Sequence, residues 1–250
     1  MTLGTPRLHL RRTDSTNERA RELAAAGALH GTLVTASEQS AGRGRQGRTW
    51  AAAPGRALLL SLVLRVERER SSRRPPEAAD RATAFALVPL AAGVATAETV
   101  GDHARIKWPN DVLVDGRKVA GILVEGRPQE AWAVLGIGLN VAIRPDDFPP
   151  ELRDTAGTLG REPSDLEPTL NELLRALERW LAADQDTVIA AWRARDALEG
   201  RRIEWADGAG KAVGIDDAGR LLVGTSSGTV ALDAGEVHLS PSTTPSRRSD

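Results

Sequence analysis

Residues Gly42 to Gly47 read Gly-Arg-Gly-Arg-Gln-Gly, and Arg48, Thr49 and Trp50 follow. Arg43, Arg45 and Arg48 are interleaved with glycines, which places guanidinium forks beside freely accessible backbone N–H groups. Arginine offers bidentate donors to a phosphate or carboxylate, and glycine lets the backbone approach the anion closely. A solvated Arg-Gly loop, or one that touches RNA, has the same composition. The six letters also match the dinucleotide fingerprint G-x-G-x-x-G, which has meaning only between a strand and a helix. Gly31 to Ala36 reads as the strand. Downstream, Pro54-Gly55 and the apolar run Ala57 to Leu64 leave no room for the helix, so Glu67 lacks the geometry of a ribose-binding acid.

Two further clusters carry chemistry-bearing side chains. In Lys107-Trp108-Pro109-Asn110-Asp111 and the following Gly116-Arg117-Lys118-Val119-Ala120-Gly121-Ile122, Lys118 lies in or beside an apolar strand. Such a lysine either snorkels outward or points into a pocket to meet a negative charge. Asn110 and Asp111, at a strand-edge turn, serve as Asx-turn residues or as ligands. Asp14-Ser15-Thr16-Asn17 precedes an Ala-rich helix, with Ser15 and Glu18 at capping-box spacing. Its small polar side chains either cap that helix or hydrogen-bond a neutral polar head group.

The elements that must position these clusters follow from pattern. The first helix stops at Gly27, and a second is expected over about Asp80 to Val100, kinked at Pro89. Strands are expected at Arg105 to Trp108, Val112 to Val114, Val119 to Val124 and Trp132 to Val141, with a hairpin turn at Asp115-Gly116. Hairpin connections imply a mixed, largely antiparallel sheet in an α+β fold rather than a doubly wound one. Thr169 to about Arg195 reads as one helix with Leu170, Leu173, Leu174, Leu177 and Leu181 on a stripe. From Gly200 short strands alternate with Gly turns, the texture of a barrel of roughly 40 residues. Glu67 to Pro76 and Ser240 to Asp250 are polar and expected to be mobile.

Composition excludes several classes. There is no cysteine among the 250 residues, so disulfides, thiolate zinc sites and cysteine nucleophiles are out. The formal net charge of −1 gives no whole-protein field that recruits nucleic acid or membrane. The N-terminus lacks a signal-peptide core, and no apolar run reaches the roughly 20 residues of a membrane-spanning helix. A cytoplasmic location, with no DNA or membrane partner, is the expectation.

The order Asp14-Ser15-Thr16-Asn17, then Glu38 to Trp50, then Lys107 to Asp111, then Gly116 to Glu125, then Gly136 to Asn140, resembles the biotin protein ligases. The resemblance implies a biotin/lipoate ligase-type α+β domain, related to class II aminoacyl-tRNA synthetases, over 1–196. An SH3-like barrel over 197–240 and a disordered tail over 241–250 would follow. Because the motifs begin so near Met1, it implies the form without an N-terminal helix-turn-helix domain. The lipoate or octanoate ligases share that fold and are the alternative enzyme. A non-enzymatic biotin sensor or nucleic-acid binder is the alternative outside enzymes.

The implied reaction uses ATP with Mg2+, and biotin as substrate. Biotin's carboxylate attacks the α-phosphate to give biotinyl-5′-AMP, and a lysine of the biotin carboxyl carrier domain of acetyl-CoA or acyl-CoA carboxylase then takes the biotin. By resemblance, Lys118 bridges the carboxylate and the α-phosphate, while Arg43, Gly44 and Arg45 close over the intermediate as a water-excluding lid. Ser15, Thr16, Asn17 and Gln39 would hold the ureido ring, and the strands through Gly121, Gly136 and Gly138 would wall the rest of biotin. Trp50 would stack on adenine, with Arg48, Asn110 and Asn140 as adenosine or phosphate contacts. Asp111 would touch the metal or orient the incoming amine.

Overall fold

In the computed structural model of the chain, residues 2–65, 85–127, 131–233, 235 and 237–239 are described. The chain begins with β1 (Arg7–Leu10), α1 (Thr16–Ala25), β2 (Leu33–Ala36) and β3 (Ala57–Arg65). After α2 (Val88–Val100) come β4 (Arg105–Lys107), β5 (Asp111–Val114), β6 (Arg117–Arg127) and β7 (Trp132–Asn140). Helices α3 (Leu166–Leu181) and α4 (Gln185–Arg193) lead to β8 (Arg202–Trp205), β9 (Gly208–Ile215), β10 (Leu221–Thr225), β11 (Gly228–Leu232) and β12 (His238–Leu239). The expected mobile stretches 67–76 and 240–250 lie outside the described residues.

The first seven strands form one sheet in the order β1-β2-β3-β7-β6-β5-β4. β1 and β2 run parallel and the other neighbours antiparallel. This is the α+β, mixed sheet expected from the hairpin signals. Asp115 and Gly116 both have positive φ, at 49° and 75°, as a two-residue type I′ hairpin turn requires.

Ala57 to Leu64 of β3 are buried, because both faces of the sheet are covered. On one face Leu58, Leu60, Leu62 and Leu64 join the large apolar core with residues of α2, α3 and α4. On the other, Val63 meets Ala20 and Ala24 of α1, and Leu59 packs near Trp50. Ser61, on this second face, is fully buried and polar. Its burial marks where the site lies.

The helices and one edge strand differ in detail from expectation. Residues 85 and 86 are helical, the helix breaks at Leu87, and α2 starts at Val88 with Pro89 in its first turn, where the missing N–H falls among donors that have no helical partner; residues 80–84 lie outside the described part. The helix expected over Thr169 to Arg195 is two helices, because Asp184 caps a second one by accepting the Thr187 N–H at 2.9 Å. The strand β1 carried too short a pattern to be read. Its open edge leaves Arg7 to His9 exposed.

β8 to β12 form a five-stranded antiparallel sheet, β11-β10-β9-β8-β12, as expected for the SH3-like unit. Ile203, Ala212, Ile215, Leu221 and Val223 enter the same apolar core as α2 and α4. Trp108 Nε1 also donates to the Gly219 carbonyl at 3.0 Å, so the second sheet is fastened to the turn before β5. Among the described residues no helix is long and apolar enough to cross a membrane.

Candidate active site

A cleft opens over the α1 face of the sheet, lined by the start of α1, the Arg-Gly loop, the Lys107 to Asp111 turn and strands β6 and β7. Every site residue named from the sequence lines it except Asn140. Asn140 is buried, and its amide donates to the Gly157 carbonyl at 2.9 Å. That ties β7 to the segment after it rather than presenting a donor to the cleft.

The closed end is a chain of hydrogen bonds. The Thr16 N–H and hydroxyl both donate to Gln39 Oε1, at 2.7 and 3.0 Å. Ser61 Oγ lies 2.8 Å from Thr16 Oγ1 and 2.6 Å from Asn17 Oδ1. Asn17 Nδ2 donates to Glu125 Oε2 at 2.9 Å. Ser15 stands at the N-cap position of α1, but its side chain makes no capping bond. The Ser15 N–H goes to Asp14 Oδ1 at 2.7 Å rather than to Glu18, so the capping box expected of Ser15 and Glu18 does not form. These side chains are committed to one another and to the cleft.

The floor is made of glycines for a steric reason. A Cβ at Gly136 would overlap the Asn17 amide, and one at Gly138 would overlap the Trp50 indole. At Gly121 a Cβ would lie 2.9 Å from Trp50 Cζ3 and 3.3 Å from Lys118 Nζ. Trp50 therefore lies against two bare strands, β6 and β7, with Lys118 Nζ 5.7 Å from its ring centroid.

Lys118 reaches the cleft through a β-bulge. Asp111 pairs with Gly121 and Val112 with Ala120, but Leu113 pairs with Lys118, which leaves Val119 as the extra residue. A regular strand would send Lys118 to the same face as Ala120 and Ile122, into the core. The bulge turns it onto the face of Gly121. Its backbone is held from outside: the Lys118 N–H donates to the Thr155 carbonyl and the Gly157 N–H to the Lys118 carbonyl, both at 2.8 Å. The lysine points into the pocket; it does not snorkel.

Cations dominate the open end. Lys118 Nζ lies 2.6 Å from Asp111 Oδ1. Burial lowers the pKa of Arg45, partly offset by the Asp111 charge. Lys107 is likewise lowered by burial, with Asp111 opposing and Lys118 and Arg48 reinforcing the shift. Such groups gain most when an anion arrives between them. Lys107 escaped the sequence reading. It lies directly opposite Asp111 across the β4–β5 pairing, which puts it on the cleft side. Asn110 donates to the Ile122 carbonyl at 2.8 Å, so it fastens the turn to β6 while lining the cleft.

The arginine loop is a small hairpin. Arg43 bridges to Thr49, Gly44 N–H donates to Arg48 O at 2.7 Å and Trp50 N–H to Gly42 O at 2.9 Å. Arg45 to Gly47 form its tip.

Among the described residues no group of three or more His, Asp or Glu side chains could cage a metal ion. Asp111 Oδ1 is buried without a hydrogen bond of good geometry, despite its close charge contact with Lys118. One such oxygen suits a divalent ion that arrives with phosphate and water ligands of its own.

Comparison with known proteins places this arrangement. Residues 9–141 match the biotin/lipoate A/B protein ligase family, and residues 208–240 match the biotin protein ligase C-terminal domain. A biotin–[acetyl-CoA-carboxylase] ligase of Paracoccus denitrificans is 38% identical, over 91% of this chain and 98% of its own. The enzyme of that name from Mycobacterium tuberculosis is 36% identical, over 90% of this chain and 85% of its own. A biotin protein ligase from Aquifex aeolicus, solved with biotin and ATP, superposes with a TM-score of 0.75 at 26% identity, covering 95% of this chain and all of the other. The chain belongs to the biotin/lipoate protein ligase family, and to its biotin protein ligases.

Proposed function

We propose that the protein activates biotin with ATP to biotinyl-5′-AMP and transfers it to a lysine of a biotin carboxyl carrier domain. The observation that carries this reading is the placement of Lys118. The bulge sets its ammonium at the junction between a closed end built for a neutral polar head group and an open end rich in cations. A ligand spanning that junction carries its carboxylate where the α-phosphate must meet it.

The first step joins two anions, so it needs cations aimed at both. Lys118 faces the carboxylate and the α-phosphate together, and Arg45 covers them from the hairpin tip. A carboxylate oxygen bonds to phosphorus while pyrophosphate leaves. Lys107, further out on the sheet, faces the departing phosphates. Ser15, Thr16, Asn17 and Gln39 address the ureido ring, and the glycine floor leaves room for the valeryl chain. Trp50 offers its ring to adenine, and Arg48 and Asn110 stand beside the nucleotide. Mg2+ bound to the triphosphate would screen its charge, with Asp111 as the protein ligand. In the second step the carrier amine attacks the acyl carbon, AMP leaves, and the amine gives up a proton. The carriers of biotin-dependent carboxylases are the partners this chemistry serves, and the cytoplasm is where it meets them.

Exchange of labelled pyrophosphate into ATP, stimulated by added acid, tests the reading. Biotin should support exchange, and lipoate and octanoate should not. Exchange driven equally by lipoate would overturn it.

A further inference from the structure

We infer that Glu125, which lies just beyond the cleft lining, is a positioning residue that ties the arginine hairpin to the closed end of the cleft. The inference rests on the ligase reading and adds a coupling to it. Glu125 is on β6, and Gly121, Leu123 and Glu125 share one face by strand alternation. Its two oxygens serve two different elements. Oε1 lies 3.1 Å from Arg43 Nη2 on the hairpin, and Oε2 accepts from Asn17 Nδ2 at 2.9 Å.

The Asn17 contact fixes the sense of an amide. Asn17 Oδ1 already accepts from Ser61 Oγ, so its carbonyl and its NH2 each have an assigned partner. A flipped amide would set its oxygen against the Glu125 carboxylate, acceptor against acceptor. The carboxylate therefore decides which Asn17 atoms remain free to meet a ligand: one N–H and one lone pair, in one arrangement.

The Arg43 contact fixes the hairpin. Its other terminal nitrogen, Nη1, lies 3.0 Å from Glu18 Oε2 on α1. Both ends of this guanidinium are thus held by carboxylates of the scaffold. Arg43 anchors the hairpin, which leaves Arg45 at the tip to face the ligand. Glu125 links the anchor to the residue that reads the biotin ring, so the hairpin's position and the Asn17 amide depend on the same carboxylate.

Glu125→Gln keeps an acceptor for Asn17 and removes the charge facing Arg43. In the ligand-free protein, hydrogen exchange of the Arg43 to Arg48 amides should be faster in E125Q than in wild type. Release of biotinyl-5′-AMP should accelerate about fivefold, the scale of one partly exposed ion pair, while affinity for biotin alone changes less than about twofold. In an Arg43→Ala background E125Q should add nothing to the release rate. Unchanged exchange and release would overturn the inference. So would equal losses for biotin and biotinyl-5′-AMP that persist in the Arg43→Ala background, since those mark a structural role. A wild-type protein that binds no biotin would overturn the ligase reading, while the exchange comparison would still test the tie.

Discussion

Lys118 and Gly121, three residues apart on one strand, face the same side of the sheet. Strand alternation alone sends residues at odd separation to opposite faces, and the extra residue Val119 reverses that. The ammonium of Lys118 consequently lies 3.3 Å from where a Gly121 Cβ would sit. Lys118→Ala should lower the rate of adenylate formation by about 10²–10³-fold with little change in thermal stability, because a charge preorganised between two anions is lost. Single-turnover kinetics beside a melting curve check it. A rate near that of wild type would return Lys118 to a structural role.

Gly136 has no room for a side chain. Its missing Cβ is the space that the Asn17 amide occupies. Gly136→Ala should push Asn17 off Ser61 and Glu125, raising the Kd for biotin roughly tenfold or more while leaving ATP binding nearly unchanged. Titration calorimetry with each ligand separates the two.

Trp50 lies over Gly121 and Gly138, and its indole Nε1 is buried without a partner. An aromatic face set beside the cationic end suits a purine. Trp50→Ala should raise the KM for ATP about tenfold, equivalent to about 1–1.5 kcal/mol of lost stacking. A rise in the KM for biotin alone would assign the indole to the acyl chain instead.

Asp196 sits where α4 hands over to the second sheet. Its Oδ1 accepts the Leu198 N–H at 2.7 Å, and its Oδ2 is buried with no partner. Burial first, and the neighbouring Glu199 charge, raise its pKa above the ordinary 3.8. The folded state therefore keeps a proton that the unfolded chain has lost, and stability falls as pH rises from 3.8 through the raised value. Asp196→Asn removes that dependence. Its melting temperature should exceed wild type's at neutral pH, and the gap should close in acid below the raised pKa. A gap that is constant with pH would contradict the assignment.

Much of this was legible in residue types. The Asp-Gly turn and the apolar runs gave the hairpins of the large sheet, and the three polar clusters converge on one cleft. Side-chain direction was not legible. Lys118 sits in an apolar strand whichever way it points, and only the bulge, held by Thr155 and Gly157 from distant sequence, decides it. The family resemblance implied Asn140 as a nucleotide contact, yet its amide goes to Gly157. Lys107 and Glu125 were hidden because their neighbours are made by pairing across strands: Lys107 opposite Asp111, Glu125 against Asn17 and Arg43. The break between α3 and α4 depended on a capping aspartate inside an otherwise continuous helical pattern.

The central claim is that the cleft couples a biotin carboxylate to the α-phosphate of ATP, with Lys118 at the junction. Incubation of the protein with ATP, Mg2+ and biotin, followed by mass detection of the bound product, tests it most directly. The account predicts biotinyl-5′-AMP with wild type and only trace amounts with Lys118→Ala. Biotin recovered unmodified from wild type, or an adenylate formed equally well by Lys118→Ala, would contradict it.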